Sequence, residues 1–212
     1  MVEAVSTILL VDDHPLLRKG VSQLLALEED FKVIAEASNG EDAVGMAVEL
    51  NPDLVLLDLS MRGMDGIETL VAMRDAGVSS HVVVFTVSDD RTDVISALKS
   101  GADGYLLKDV EPEMLIENVR QACSGKMVLS EQLTEILALS FRGEQKEQDL
   151  SSLTRRELQI LKYIASGLSN KLICRQLDIA ESTVKVHVKH LLKKLRFRSR
   201  VEAAVWMVDQ QK

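Results

Sequence analysis

The sequence contains few cysteines and no long apolar run near its start. Its two cysteines, Cys123 and Cys174, lie far apart in segments that are predicted to be helical, so they form neither a disulfide framework nor a zinc site. The N-terminal segment has no basic region and its apolar run spans only Ile8 to Val11, which argues against a signal peptide and a membrane span. These absences predict a cytoplasmic protein of a reducing compartment that has no membrane partner.

Charge is distributed unevenly along the chain. Residues 1–150 carry 12 Lys and Arg against 28 Asp and Glu, a net charge of −16, whereas residues 151–212 carry 13 against 5, a net charge of +8. A basic segment behind an acidic domain favours a module that binds a polyanion such as nucleic acid. Ordinary solvated surface charge would give the same totals. The positions of the charges must therefore decide between a polyanion-binding surface and ordinary surface charge.

The first 128 residues alternate short apolar runs with amphipathic stretches, which is the pattern of a parallel sheet wrapped by helices. The predicted strands are Thr7–Val11, Lys32–Glu36, Leu54–Asp58, His81–Thr86 and Gly104–Leu107, and the predicted helices lie near 15–28, 40–50, 66–76, 90–99 and 111–124. We therefore expect an α/β fold, a doubly wound five-stranded parallel domain of the flavodoxin-like type over residues 1–128. Chemistry in such a fold gathers at the carboxyl ends of the strands.

The remaining chain predicts a linker and a helical domain. Residues 129–150 read as a linker with a short helix near Ser130–Ser140, because the segment that follows this helix has few apolar residues and little periodicity. Residues 151–212 are helical in pattern, and Thr154 with Glu157 forms a capping box that opens the first helix. Further helices are predicted at Asn170–Leu177, Glu181–Leu195 and 199–208. This arrangement predicts an all-α, four-helix domain of the helix-turn-helix type.

Polar residues end the predicted strands of the first domain. Asp12 and Asp13 end the first strand, Asp58 the third and Thr86 the fourth, and Lys108 follows the fifth. Three carboxylates at one edge repel one another and favour a divalent cation with oxygen ligands, of which Mg²⁺ is the first choice in cells. Asp58 would attack phosphorus and form an acyl phosphate, while Mg²⁺ and Lys108 neutralise the phosphoryl oxygens. Singly, each residue has an ordinary explanation, such as a helix cap for Asp13, but jointly they predict a phosphorylation site.

The segments VDDHP, LLDLSMRGMDG, VFTVS and GADGYLLKD resemble, in this order, the receiver domain of two-component response regulators over residues 6–124. The resemblance implies that a sensor histidine kinase phosphorylates Asp58 and that Thr86 and Lys108 contact the phosphoryl group. It further implies that Thr86 and Tyr105 form a switch pair. The implied Mg²⁺ ligands are Asp12, Asp13, Asp58 and the backbone carbonyl of Ser60.

The segment ESTVKVHVKHLLKKL carries a basic helical face. Its valines and leucines repeat at helical spacing and should face a core, whereas Lys185 and Lys189 share the opposite face with Val186 beside them. Recognition helices present their N-terminal half to base edges, where a lysine donates to guanine and a valine packs on a thymine methyl group. The later cations are better placed for phosphates, namely Lys193, Lys194, Arg196, Arg198 and Arg200.

The segments LTRRELQIL, GLSNKLI and TVKVHVKHLLKKL resemble the LuxR/FixJ-type DNA-binding domain over residues 151–208, and together with the receiver they place the chain in the NarL/FixJ family. SRVEAAVW and ESTVKVHVKH are most similar to nitrate/nitrite-responsive members, which implies such a signal upstream of the kinase. The resemblance implies that Lys185, Val186 and Lys189 read bases in double-stranded promoter DNA. It implies that the last helix forms a homodimer contact on DNA, with core packing as the alternative, through Val201, Ala204, Val205 and Val208. RNA polymerase is a further candidate partner.

Three positions depart from the family pattern. Arg62 and Asp109 stand where many receivers have proline, and without proline a cis peptide after Lys108 would cost about 3–4 kcal/mol, so a trans bond is expected. Ala180 stands where the family has Ser or Thr at the start of the recognition helix. Either Asp178 caps this helix instead, or the domain loses some stability.

These features predict a transcription regulator and not an enzyme. Unphosphorylated, the acidic receiver would cover the recognition helix of the basic domain. Phosphorylation of Asp58 would change the receiver face near Thr86 and Tyr105, weaken that contact and free the domain to dimerise on DNA. Two alternatives stay open. A Mg²⁺-dependent phosphohydrolase that uses Asp58 would turn over a phosphomonoester, and a phosphorylation-independent regulator would take no phosphate from acetyl phosphate.

Overall fold

The structure, a computed structural model, describes residues 5–129, 150–168, 170–197 and 199–209. Its first part is one parallel sheet with the strand order β2-β1-β3-β4-β5. The strands are β1 (Ser6–Val11), β2 (Phe31–Ala37), β3 (Leu54–Leu57), β4 (His81–Thr86) and β5 (Gly104–Leu107). The helices between and after them are α1 (Pro15–Leu25), α2 (Gly40–Leu50), α3 (Gly66–Asp75), α4 (Arg91–Ser100) and α5 (Pro112–Cys123). The predicted doubly wound, five-stranded fold is therefore confirmed.

Helices cover both faces of this sheet because successive strand residues point to opposite sides. In β1, Ile8 and Leu10 pack with residues of α1 and α5, whereas Leu9 and Val11 pack with residues of α2, α3 and α4. All four side chains are buried. The central strands are consequently apolar on both faces, which is why they read as continuous apolar runs in the sequence.

Several predicted elements end earlier in the structure than the sequence suggested, helix α1 and strand β3 among them. Helix α1 ends at Leu25 instead of residue 28, because a turn follows Ala26. Strand β3 ends at Leu57, so Asp58 lies just beyond the sheet. The peptide bonds of the described residues are all trans, as expected for the bond after Lys108.

The second part is helical and has its own core. A 3₁₀ turn at Leu150–Ser152 precedes α6 (Arg155–Ala165), α7 (Asn170–Leu177), α8 (Glu181–Lys194) and α9 (Arg200–Asp209). The predicted capping box is present at the start of α6, where Thr154 and Glu157 bond each other's backbone N–H groups. The buried core includes Ile160, Leu161, Ile173, Val184, Val188, Leu191 and Ala203.

The recognition helix α8 begins without a side-chain cap. Ala180 occupies the cap position with extended backbone angles, and no side chain bonds the first N–H groups of the helix there. Asp178, the alternative cap, has a φ of 49° and lies in the left-handed region. The suggestion that Asp178 caps α8 is therefore wrong.

Most of the predicted linker, including the short helix near Ser130–Ser140, lies outside the described residues, so the domain boundaries at 128 and 151 stay predictions. Among the residues that the structure does describe, no helix has the length and apolar character needed to cross a bilayer.

A candidate phosphorylation site and a docked recognition helix

The predicted acidic residues meet at the carboxyl edge of the sheet. Strands β1 and β3 are neighbours, so Asp12 and Asp58 follow them side by side. Lys108 Nζ lies 2.8 Å from Asp12 Oδ2 and 2.8 Å from Asp58 Oδ2. All three side chains are nearly buried. The lysine therefore bridges the two carboxylates.

This cluster has the composition of a divalent-cation site. Ligand atoms of Asp12, Asp13, His14 and Asp58 all lie within 4.8 Å of one another. Three carboxylates and Lys108 leave a formal charge of −2, and the buried Oδ1 of Asp58 has no hydrogen-bond partner among the described residues. A buried charged oxygen without a partner is costly. The residues present therefore fit a Mg²⁺ ion, which prefers carboxylate and water ligands.

His14 is the member of this cluster that the sequence analysis did not identify. Its side chain is 68% exposed, and its Nδ1 lies 2.9 Å from Asp13 Oδ1. Its backbone N–H donates to Asp12 Oδ1 at 2.7 Å, which orients that carboxylate. The sequence signal that could have indicated His14 as a member of the cluster is its position directly after Asp12 and Asp13.

The loop after Asp58 is held by tight backbone packing. Gly66, the first residue of α3, has no room for a side chain, because a Cβ atom there would lie 2.2 Å from the carbonyl oxygen of Asp58. Asp65 and Glu68 form a capping box that fixes the start of α3. Ser60 is exposed in the intervening loop. The loop is thus pinned where a metal-binding carbonyl would be needed.

Thr86 and Tyr105, the predicted switch pair, are both fully buried. Thr86 ends β4, and its Oγ1 accepts a long hydrogen bond of 3.5 Å from the backbone N–H of Ser88. The hydroxyl of Tyr105 donates to the carbonyl of Ser88 at 2.8 Å. Burial raises the pKa of Tyr105 to about 12, so this hydroxyl stays a donor at neutral pH. The ring of Tyr105 is therefore already turned inward in this arrangement.

The basic face of α8 lies against the receiver. Lys185 Nζ lies 3.0 Å from Asp53 Oδ1 and donates to the carbonyl of Asn51 at 3.3 Å. The chain of Lys189 covers Gly77, where an added Cβ would lie 2.5 Å from Lys189 Cε. Burial opposes ionisation of Asp53, but hydrogen bonds from Thr7 and the charge of Lys185 hold the pKa of Asp53 below its usual value. Two residues predicted to read DNA bases thus contact the receiver in this arrangement, and their role in DNA binding stays a prediction.

Arg200 forms a second, more deeply buried contact between the domains. Its Nη1 lies 2.9 Å from Nε2 of His81 at the start of β4, and it also donates to Asn170 Oδ1 at 3.3 Å. Its Nη2 donates to the carbonyl of Leu168. The sequence analysis placed Arg200 at DNA phosphates, but in this arrangement it is buried and burial lowers its pKa to about 10.

These contacts lie at the edge of the sheet opposite to the acidic cluster. Asn51 and Asp53 precede β3 and His81 begins β4, whereas Asp58 follows β3 and Thr86 ends β4. The sequence analysis expects phosphorylation to weaken the interdomain contact through the receiver face near Thr86 and Tyr105. In this arrangement the contact lies at the other edge of the sheet, so such an effect would have to cross the sheet. Asn51, Asp53 and His81 are single polar residues beside apolar strands, and they form no periodic pattern in the sequence. The contact between the domains could therefore not be predicted from them.

The other residues predicted to bind DNA have different surroundings. Val186 is half exposed. Together with Lys185 and Lys189 it lines a cavity of about 320 Å³ between α8 and the receiver. Lys193 is exposed and lines another cavity between the domains, of about 440 Å³. Lys194 instead lies 2.7 Å from Glu157 Oε2 within its own domain. Their roles in DNA binding stay predictions.

Helix α9 holds the predicted dimer residues. Ala204 packs partly buried against the core of its own domain, as does Trp206, whose ring lies 5.6 Å from that of Phe197. Val201, Val205 and Val208 lie within α9, but their side chains fall outside the described residues. The dimer contact stays a prediction.

Comparison with known proteins agrees with this architecture. The response regulator receiver domain matches residues 8–120, and the luxR family of bacterial regulatory proteins matches residues 151–207. The nitrate/nitrite response regulator protein NarL of Escherichia coli K12 is 58% identical over 97% of this chain and 96% of its own length. NarP of the same organism is 46% identical over 96% of this chain and 95% of its own. The crystal structure of the response regulator ChrA of a heme-sensing two-component system aligns with 98% of each chain, with a TM-score of 0.53 and 32% identity.

A receiver fold joined to a LuxR-type domain defines a two-component response regulator that acts on transcription, and the chain belongs to this family. Within the family it is similar along almost its whole length to the nitrate/nitrite response regulators NarL and NarP, which confirms the resemblance found in the sequence.

Proposed function

We propose that this chain is a DNA-binding switch in which phosphorylation of Asp58 releases α8 from the receiver. The observation that carries the proposal is the ion pair of Lys185 with Asp53, because a lysine bound to a receiver carboxylate cannot also donate to a base edge. The acidic cluster around Asp58 supports the phosphorylation half of the switch.

The phosphoryl step follows from the charges in the cluster. One Asp58 oxygen attacks the phosphorus of a kinase phosphohistidine. The new O–P bond forms as the P–N bond breaks, and the imidazole of the kinase takes up a proton. Lys108, 2.8 Å from Asp58, is placed to stay with the negative charge of the product. Thr86 at the end of β4 would donate its hydroxyl to a phosphoryl oxygen.

Asp12, Asp13, Asp58 and the carbonyl of Ser60 would hold Mg²⁺. When bound, the ion supplies positive charge that stabilises the phosphoryl oxygens. The fit rests on the three clustered carboxylates and on the unpartnered, buried Oδ1 of Asp58.

Strand β4 supplies a physical connection between the two edges of the sheet. Thr86 ends this strand at the edge of the sheet where Asp58 lies, and His81 at its start contacts Arg200 of the DNA-binding domain. The six residues between and including them span about 17 Å at the usual rise of a strand. A displacement of Thr86 toward the phosphoryl group would therefore act on β4, a rigid strand. The other end of this strand carries His81 and its contact with Arg200.

Partners and signal follow from the relatives. By similarity to NarL and NarP, the partner is a sensor histidine kinase and the signal is nitrate or nitrite. Freed from the receiver, α8 would bind promoter DNA through Lys185, Val186 and Lys189, and α9 would pair two copies. RNA polymerase is a candidate partner of the dimer. DNA binding through α8 needs the open arrangement, whereas phosphorylation by the kinase precedes it.

The switch is tested by binding to a random-sequence duplex DNA pool at fixed salt, with and without beryllofluoride and Mg²⁺. Beryllofluoride mimics a phosphoryl group on a carboxylate, so wild type should bind DNA more tightly in its presence. Asp58→Ala should show no change, because it lacks the carboxylate. Equal affinity of wild type in both conditions would support the phosphorylation-independent regulator instead, and multiple turnovers of a phosphomonoester would support the phosphohydrolase.

A further inference from the structure

His81 is buried between the two domains and faces a cation. The residue is 7% exposed, its Nε2 lies 2.9 Å from Nη1 of Arg200, and its backbone N–H donates to the carbonyl of Asp53. Arg200 is always a donor, so Nε2 must act as the acceptor. The imidazole proton of the neutral ring then sits on Nδ1, which has no hydrogen-bond partner among the described residues.

Protonation of His81 would break this arrangement. With a proton on each ring nitrogen, Nε2–H and the guanidinium would be two donors pointed at each other across 2.9 Å, and two positive charges would be buried together. The added proton must go to Nε2, which faces the guanidinium, because Nδ1 already carries the proton of the neutral ring. Among the described residues, no acceptor bonds Nδ1–H to offset the added positive charge. The closed contact therefore accepts only the neutral imidazole.

The charges around His81 come from both domains and are mostly positive. Arg200 of α9, Arg74 of α3 and Lys185 of α8 all act on its imidazole, and with burial as the larger cause they hold the pKa of His81 well below its ordinary range. Asp103 before β5 is paired with Arg74 at 2.7 Å, and Asp53 before β3 with Lys185. Glu181 and Cys123 line the small space beside the ring. The two aspartates are thus already engaged by other cations.

We propose that His81 makes the interdomain contact sensitive to pH, so that protonation of His81 separates Arg200 from the receiver and frees α8 for DNA without phosphorylation. The proposal rests on the proposed function, since it assumes that the closed arrangement blocks DNA binding. It assigns a residue of the receiver, far from Asp58, as a second input to the same switch.

The sign and size of the effect follow from proton linkage. The open form removes Arg200 and Lys185 from the imidazole, so the pKa of His81 rises there toward its ordinary value of about 6.5, whereas the closed form keeps the ring neutral. Acid therefore favours the open form. Going from about pH 8 to about pH 6 should raise the ratio of open to closed protein about fourfold. This range stays above the isoelectric point of about 5.1. Asp53 titrates below its usual value and so does not change charge in this range.

Proton NMR of the imidazole groups tests the first half of the proposal. The chain has only four histidines, so the signal of His81 can be assigned by its loss in His81→Gln. In unphosphorylated protein this signal should not titrate between about pH 8 and about pH 6, and with beryllofluoride and Mg²⁺ it should titrate near about 6.5. An ordinary titration in both states would overturn the proposal.

Binding to the random-sequence DNA pool, at fixed salt, tests the second half. Between about pH 8 and about pH 6 the apparent affinity of the wild type should rise about fourfold more than that of His81→Gln, since glutamine can accept from Arg200 but cannot be protonated. Changes of charge elsewhere in the chain occur in both proteins and cancel in this comparison. Equal pH dependence of the two proteins would refute the pH sensor.

Beryllofluoride separates the failure of this inference from the failure of the proposed function. If His81→Gln and wild type both gain DNA affinity with beryllofluoride but share one pH dependence, the switch stands and the role of His81 falls. If neither gains affinity, the closed arrangement is not the blocked form, and both proposals fall together.

Discussion

The ammonium group of Lys185 lies 3.0 Å from a carboxylate oxygen of Asp53, although the two residues belong to different domains. Both side chains are mostly shielded from water there, and the lysine is one of those predicted to read bases. The same charge therefore serves either the receiver or DNA. This competition makes the strength of the closed contact measurable through DNA affinity.

Asp53→Asn should weaken the closed contact. Asparagine keeps an oxygen for the hydrogen bonds from Thr7 but loses the attraction to Lys185, which at this degree of exposure contributes about 1 kcal/mol. The unphosphorylated variant should bind the random-sequence DNA pool about fivefold more tightly than wild type in fluorescence anisotropy. Glu113→Gln, an equal charge change on the exposed surface of α5, is the control and should leave the affinity unchanged. Equal behaviour of the two variants would mean that the ion pair does not hold the domains together.

Gly66→Ala should damage the phosphorylation site, whereas Gly45→Ala should not. A Cβ at Gly66 would lie 2.2 Å from the backbone oxygen of Asp58, so the loop or α3 must move. We expect a loss of a few kcal/mol of stability, on the order seen for overpacking, and a slower phosphorylation by acetyl phosphate. Gly45 is exposed within α2 and has no atoms near its Cβ position, so alanine there should add about 0.5–1 kcal/mol. Thermal unfolding and phosphate-affinity gels measure both effects, and unaltered phosphorylation of Gly66→Ala would contradict the idea that this packing sets the site.

Lys193→Ala and Lys194→Ala should separate DNA binding from stability. Lys194 lies 2.7 Å from Glu157, whose pKa is held below its usual value, against the effect of burial, by Lys194 and Thr154. Removing Lys194 leaves that buried carboxylate without its cation and should cost about 1–3 kcal/mol of unfolding free energy. Lys193 is exposed, so its loss should leave stability unchanged but weaken DNA binding and reduce its salt dependence. Chemical denaturation and salt titrations of DNA binding distinguish the two outcomes, and the reverse pattern would refute these assignments.

Mg²⁺ should stabilise the receiver through its carboxylates. At a concentration of about 100 times its dissociation constant, the ion should add about 2.7 kcal/mol and raise the melting temperature. Asp13→Asn removes one clustered carboxylate and should lose most of this gain, whereas Glu41→Gln on exposed α2 should retain it. Scanning calorimetry with and without Mg²⁺ decides the point. A gain that survives in Asp13→Asn would place the ion elsewhere.

Ala180→Ser should stabilise the DNA-binding domain. The backbone at Ala180 already has the extended angles of a helix cap, and a serine oxygen there can accept from the first free N–H groups of α8. The expected gain is about 1 kcal/mol, and Ala180→Gly, which adds no cap oxygen beyond the backbone effect, should give less. Denaturant unfolding followed through Trp206 reports on this domain, and a serine variant no more stable than the glycine variant would contradict the capping explanation.

The sequence predicted the receiver fold, and the meeting of its acidic residues with Lys108 at one edge, because both follow from local patterns. Apolar runs give the strands, and parallel strands bring Asp12, Asp58 and Lys108 to one edge irrespective of detail elsewhere. The docking of the domains left no such pattern. It depends on a backbone carbonyl at Asn51, an absent side chain at Gly77 and a single histidine at the start of β4, none of which has periodicity or a motif.

Arg200 illustrates why the remainder could not be predicted. Its position after a basic helix groups it with the cations predicted to bind phosphates. That prediction uses the sequence of the DNA-binding domain alone. Its burial against His81 depends on how two separately folded units meet. Such a contact involves few residues from each unit and is not fixed by the pattern of either.

The double engagement of Lys185 restricts how proteins of this design can diversify. A substitution of Lys185 that suits a new operator also alters the fit of α8 to the receiver edge. The operator preference and the strength of the closed contact therefore change together. Grafting the C-terminal domain of another family member onto this receiver would therefore often yield a regulator that is permanently active. Working hybrids would need Asn51, Asp53 and His81 exchanged together with the helix that they hold.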